Sequence, residues 1–387
     1  MTGYTVAVIG GGQLARMMSE AASALDIRLR ALVEAKDGST GLVVPDSHVG
    51  TARDHTALQQ IIQGADAVTF EHEHVDAAFL ETLSVPVRPS SSALTYAQDK
   101  LAMRRRLTEL GIENPRWAEA ATPQDVQAFG DQVGWPIIVK TPRGGYDGKG
   151  VRLAYSPDDV ADWFSGVGPG GLGGNTLHGN LLVEERVPFT RELAALVARR
   201  PSGEIRAWPV VETVQEHGVC SEVYAPAPGL SPALAERATK IAGLVAEGLD
   251  VTGVLAVELF AVEGPDGGRL VVNELAMRPH NTGHWTIEGA VTSQFEQHLR
   301  AVLDLPLGQT TAREPWSVMV NLLGSELPDP RAAYPEVMAQ FPDVKVHLYG
   351  KEVRPGRKLG HVTAYGQDLE ELKARARAAV ALLRGQG

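Results

Sequence analysis

Two acids and an amide gather in the middle of this chain, within VLAVELFAVEGPDGGRLVVNELA at 254–276. Apolar runs on either side of a Pro-Asp-Gly-Gly turn predict an antiparallel hairpin with strands 254–261 and 269–275. With the turn centred near Asp266, Glu258 faces Glu274. Opposed like charges destabilise a hairpin, and carboxylates resist burial among Val, Leu and Phe unless a cation lies between them. Mg²⁺ suits such a pair because it prefers oxygen ligands and usually also holds nucleotide phosphates. A nearby Arg or Lys is the alternative counter-charge. Strict alternation turns Asn273 away from Glu274, so Asn273 needs a bulge to join it, or meets a ligand on the other face.

The chain then runs into MRPHNTGHW, where Pro279 forces a turn and Arg278, His280, Asn281 and His284 would line the cavity beside the phosphates. The i,i+4 spacing of His280 and His284 also permits a transition-metal reading, although Pro279 and Gly283 disfavour a helix there. A second cluster, WPIIVKTPRGGYDGKGV, ends a buried strand (137–140) at Lys140 and continues into a glycine loop with Tyr146, Asp147 and Lys149. Glycines with lysine let backbone N–H groups approach phosphate oxygens, and such a loop can close as a lid. It lacks the G-x-x-x-x-G-K-[ST] pattern, and a plain glycine hairpin is the alternative. The GGGQ at 10–13 is compatible with a structural turn, an anion at a helix N-terminus, or a dinucleotide with Glu34 near its ribose. Finally, KEVRPGRKLGH at 351–361 sets four cations around a Pro-Gly turn, as solvated surface charge or as a pocket for a phosphate-bearing substrate.

Those groups need a multidomain frame. At about 150 residues per domain, 387 residues predict two or three domains. A hydrophobic content of 44% with 21% charged residues is that of a globular chain, and a net charge of −11 argues against nucleic acid as a partner. No apolar run reaches the roughly 18 residues of a membrane span. The start, MTGYTVAVIGGGQLARMM, lacks the features of a signal peptide, so a cytoplasmic protein is expected. The single Cys220 fits a reducing compartment and reads as a buried small hydrophobe. Strands are expected at 5–9, 27–33 and 65–71, the last delivering Glu71 and Glu73 to its carboxyl end, where open α/β sheets bind ligands. Boundaries near 92 and 307 divide the chain into 1–92, 93–307 and 308–387. The stretch SGVGPGGLGGN reads as a surface loop, WSVMVNLLG and VKVHLYG as short strands, and 368–384 as a terminal helix.

Taken together, GGGQLARMM, QDK, IIVKTPRGGYDGKG, LVEERVPFTRELA, AVELF, the segment from NELAMRPHNTGHW to DLPLG, and KEVRPGRKLGH resemble the 5-(carboxyamino)imidazole ribonucleotide synthases, ATP-grasp ligases of purine biosynthesis. The match spans nearly the whole chain. The resemblance implies a mixed α/β and α+β fold: a Rossmann-like domain at 1–92, an ATP-grasp domain at 93–307 and a small, mostly β domain at 308–387. It implies ATP and Mg²⁺, with Mn²⁺ a possible substitute, a homodimer, and carboxylation of aminoimidazole ribonucleotide through carboxyphosphate. By motif position, Lys100, Lys140, Gly145 and Gly148 would meet phosphates, Glu184, Glu185 and Val187 adenine, and Glu192 ribose. Glu258 and Glu274, helped by Asn273, would hold the metal. The substrate site would comprise Glu71, Tyr146, Lys149, His280, Asn281, Lys351, Arg354, Arg357 and Lys358, with His280, Lys140 and Arg278 catalytic. Formate-dependent glycinamide ribonucleotide transformylase is the nearest alternative; a nucleotide-binding module without turnover and an NAD oxidoreductase are more distant ones.

Overall fold

A run of small and branched apolar residues with no polar interruption suits a strand covered on both faces, and Val6, Ala7, Val8 and Ile9 are fully buried in the strand Thr5–Ile9. A computed structural model describes residues 3–144, 150–164, 180–216, 218–264 and 268–386. Thr5–Ile9 pairs in parallel with Arg28–Val33 and Ala67–Phe70, and Ser47–Val49 adds beyond Arg28–Val33. The helix Gln13–Ala24 leaves this sheet through the glycine turn. Its N-terminal amides are met from within the chain: Gly12 and Ala15 donate to the Glu71 carboxylate, the latter at 3.3 Å. A Cβ on Gly12 would come within 2.5 Å of that carboxylate, which is why glycine stands there.

A second, antiparallel sheet contains nine strands among the described residues. Its path is Arg269–Ala276, Gly253–Val262, Arg191–Arg199, Val211–Glu216, Val219–Ala225, Trp316–Leu323, Lys358–Gly366 and Lys345–Leu348, with Ile205–Ala207 beside Arg191–Arg199. The helix Pro232–Gly248 packs Ala238, Ala242 and Val245 on one end, and Leu369–Arg384 packs Ala376, Ala379 and Leu383 on the other. The sheet therefore runs unbroken past residue 307, because Val219–Ala225 finds its next partner in Trp316–Leu323. The start of Lys358–Gly366 lies inside the basic segment that reads as a turn in sequence.

The third sheet, Trp117–Ala120, Leu181–Glu185, Ile137–Lys140 and Val151–Ala154, is antiparallel and backed by the helix Pro123–Val133, whose start carries a Thr122–Asp125 capping box. The first and second sheets are locked together by His298. Its Nε2 hydrogen-bonds Thr69 at 2.7 Å and its Nδ1 accepts from the Val254 amide at 3.0 Å, while burial pushes the ring down to about 3 and keeps it neutral. The helix Ser91–Gln98 spans the boundary expected near 92, with Leu94 in the core of the first sheet and Ala93 in that of the second. Among the described residues no helix is long and apolar enough to cross a membrane.

Candidate functional site

The central hairpin is displaced by one residue along its length. Val257 faces Leu275 and Ala256 faces Ala276, but on the turn side Leu259 faces Val272 and Phe260 faces Val271. The expected constant register about Asp266 thus holds only beyond the acids. Between the two registers Glu258 opposes both Asn273 and Glu274, a bulge that frees the amide and the second acid from alternation. Asp266 itself lies outside the described residues.

All three side chains line one large cleft. Burial, then the facing Glu274 and Glu192, push the Glu258 carboxyl up to about 8. His280 Nε2 lies 3.4 Å from the Glu258 carboxylate. Lys100 Nζ is 3.9 Å from Glu274. Hard oxygen donors crowded together, one of them favouring its proton, fit a divalent ion of the Mg²⁺ type, supplemented by ligand oxygens. Among the described residues no three His, Cys, Asp or Glu side chains converge on a metal. The His280–His284 pair takes separate partners: His280 Nδ1 meets Thr282 Oγ1, and His284 Nδ1 meets Gln294, each at 2.9 Å. Asn281–Gly283 between them is one short 3₁₀ turn, as Pro279 and Gly283 require.

Lys140 ends its strand almost fully buried, with Nζ 3.0 Å from Glu184 and donating to Asn273 Oδ1 at 3.2 Å. The other Glu184 oxygen accepts from Arg104 Nε at 2.6 Å, so both carboxylate oxygens are engaged by cations. Glu185 pairs with Arg116 at 2.6 Å, Val187 is buried beside it, and burial raises the Glu192 carboxyl. Phe189 and Phe260 stack 4.3 Å apart at the same end of the cleft. Arg104 and Phe260 are absent from the sequence reading. Arg104 is one of three consecutive arginines, and its only signal is its position four residues after Lys100, on the same helix face.

Across the cleft, Arg278 Nε donates to Glu73 at 2.9 Å, and Gln294 grips the His280 backbone through both its amide atoms at 2.8 Å. Burial, then Arg278 and Lys358, hold His280 well below its usual value, so the ring is neutral near pH 7. Glu71, Asn281, Lys351, Arg354, Arg357 and Lys358 line this end. Lys351 donates to Gln13, Arg354 pairs with Glu352 at 2.6 Å, and Arg357 donates to the Glu352 carbonyl at 3.1 Å. Gly145, Tyr146, Gly148 and Lys149 lie outside the described residues, as does 165–175. Among the expected site positions that are described, each borders this one cleft.

Comparison with known proteins follows the same order along the chain. Residues 3–98 match the ribonucleotide synthetase preATP-grasp domain, 105–295 the ATP-grasp domain, and 317–375 the phosphoribosylaminoimidazole carboxylase C-terminal domain. The N5-carboxyaminoimidazole ribonucleotide synthase of Mycobacterium tuberculosis (strain H37Rv) is 50% identical over 378 residues, covering 96% of this chain and 86% of that one. The same enzyme of Corynebacterium ammoniagenes is 47% identical over 385 residues, covering 98% and 91%. The crystal structure of carboxyaminoimidazole ribonucleotide synthase from Aspergillus clavatus complexed with ATP aligns with a TM-score of 0.87 at 32% identity, over 100% of this chain and 99% of that one. Its complex with ADP and 5-aminoimidazole ribonucleotide gives 0.86 at 32% identity over 98% of each. With three consecutive domain matches and 50% identity across nearly its whole length, the chain belongs to the N5-carboxyaminoimidazole ribonucleotide synthase family of ATP-grasp enzymes.

Proposed function

We propose that this protein carboxylates the exocyclic amine of 5-aminoimidazole ribonucleotide at the expense of ATP, with bicarbonate as carbon source, giving N5-carboxyaminoimidazole ribonucleotide, ADP and phosphate. One observation carries the reading: a single cleft collects Glu71 from the first family-matched segment, Lys140, Glu258, Asn273, Glu274 and His280 from the second, and Lys351, Arg354, Arg357 and Lys358 from the third. The Aspergillus clavatus relative, which binds ATP in one complex and ADP with 5-aminoimidazole ribonucleotide in another, supports it.

In this reading the adenine lies near Glu184, Glu185 and Val187, with the ribose at Glu192. Lys100, Lys140 and the loop glycines Gly145 and Gly148 meet the phosphates. Glu258 and Glu274, with Asn273 beside them, hold Mg²⁺, or Mn²⁺ by the same oxygen donors; the ion supplies neutralisation of phosphate charge. Phosphoryl transfer to bicarbonate depends chiefly on positioning and on cations around the developing charge, which Lys140 and Arg278 provide. The carboxyphosphate formed breaks down readily in water, so the site must exclude solvent during the reaction. His280, neutral near pH 7, is placed to assist movement of the proton that leaves the amine as its nitrogen bonds to the carboxyphosphate carbon and phosphate departs. Glu71, Tyr146, Lys149, Asn281, Lys351, Arg354, Arg357 and Lys358 bind the ribonucleotide. The segments 1–92, 93–307 and 308–387 act as family units, the last two sharing one sheet, and the working form is a cytoplasmic homodimer.

The test is ADP release with each ribonucleotide in turn. Turnover requiring 5-aminoimidazole ribonucleotide and bicarbonate is expected; turnover requiring glycinamide ribonucleotide and formate would replace this reading with the transformylase.

A further inference from the structure

Arg104 is fully buried and therefore touches no ligand, yet it joins the two halves of the phosphate end of the cleft. Its Nε donates to Glu184, whose other oxygen holds Lys140. Its two terminal nitrogens donate to the carbonyls of Val272 at 2.9 Å and Asn273 at 2.8 Å. Those carbonyls belong to the outermost strand of the large sheet, at the bulge opposite Glu258. A bulge on an outer strand leaves carbonyls without ladder partners, and an unpaired buried carbonyl costs free energy. One guanidinium satisfies two of them with the fixed fork that lysine lacks. One helical turn earlier, Lys100 reaches the Glu274 carboxylate from the same helix, Lys100–Glu109.

The charge arrangement has a second effect. Lys140 and Glu184 by themselves form a neutral buried pair, which offers an arriving anion little attraction. With Arg104 sharing the carboxylate, the trio carries one net positive charge, with Lys140 and Glu184 bordering the cleft. We propose that Arg104 is the positioning residue of the nucleotide site: it pins the bulge that turns Asn273 and Glu274 into the cleft, and it keeps Lys140 attractive to phosphate by sharing Glu184. The two roles are separable, because one needs the fork and the other only the charge.

This inference rests on reading the cleft as an ATP–Mg²⁺ site, so its test measures binding apart from turnover. An ATP analogue with an uncleavable β–γ linkage is titrated into the full chain with and without Mg²⁺, each variant's folding being checked by thermal melting. Arg104→Met should weaken the analogue by about tenfold or more, the scale of a lost charge-assisted hydrogen bond. Arg104→Lys should keep Mg²⁺-free affinity within about twofold of the unaltered protein while needing severalfold more Mg²⁺. Folded Arg104→Met binding within about twofold of the unaltered protein overturns the proposal. If that variant does not fold, an unchanged Mg²⁺ requirement in Arg104→Lys overturns it instead. Should the unaltered chain bind the analogue yet release no ADP with 5-aminoimidazole ribonucleotide and bicarbonate, the functional reading fails while the role of Arg104 stands or falls on the titrations.

Discussion

Glu184 and Glu258 face the same cleft from two different sheets, and their surroundings drive their protons in opposite directions. Burial raises both. At Glu184, Arg104 and Lys140 outweigh burial and hold the carboxyl down to about 2. At Glu258, Glu274 and Glu192 add to burial and push it up to about 8. The Glu184 wall thus holds its own surplus of positive charge, whereas at the hairpin opposite Glu258 favours its proton until positive charge arrives with a ligand. Preorganised cations on one side and an unmet acid pair on the other are what a site for a metal–polyphosphate requires.

The contrast is most severely tested by removing the unmet acids. Glu258→Gln or Glu274→Gln should lower substrate-dependent ADP release by about a hundredfold or more, and excess Mg²⁺ should not restore it. Retained turnover would make the acid pair structural. His280→Ala should cut carboxylation by about a hundredfold while leaving affinity for the ATP analogue within about twofold. An equal loss of both would move His280 from proton transfer to nucleotide binding.

Stability against pH should separate the two glutamates without any turnover. In the ligand-free protein the Glu258 carboxyl titrates above its ordinary 4.5, so the folded form binds the extra proton and loses stability as pH rises through that value towards about 8. Glu258→Gln should flatten this decline in melting temperature. Glu184 is the reverse: its contribution is present above 4.5 and is lost as pH falls towards about 2, so Glu184→Gln should blunt only the acid side. Matching pH profiles for the two variants would remove the distinction. The smallest effect belongs to Arg354→Ala, since its partner Glu352 is exposed and the pair is worth little to folding. Melting should hardly change, while KM for the ribonucleotide rises about fivefold, more at low salt.

Much of this was legible in the sequence, for identifiable reasons. The strands Thr5–Ile9, Ala67–Phe70 and Ile137–Lys140 announce themselves by apolar runs ending in Gly, Glu or Lys, and the central hairpin by its Pro-Asp-Gly-Gly turn. Register was legible only beyond the acids, since the bulge offsets it between them and the turn. The bulge at Glu258 depends on Arg104, which lies 154 residues before it in the chain and looks like an ordinary helix-surface arginine. The segment from Lys358 reads as a basic turn because its charges obscure the apolar Leu359, Val362 and Ala364 that bury it as a strand. Neither could sequence distinguish a separate C-terminal layer from an extension of the central sheet, since edge pairing is made by backbone groups that carry no residue code.

That extension makes the last eighty or so residues a splint. Trimming the chain at 307 would strip Val219–Ala225 of one neighbour and leave a long open β edge prone to recruit other chains. The ladder from Trp316–Leu323 to Lys358–Gly366 also fixes, through backbone hydrogen bonds, how far the Arg354 turn stands from the acid hairpin. The spacing between the two is therefore gauged by one continuous sheet.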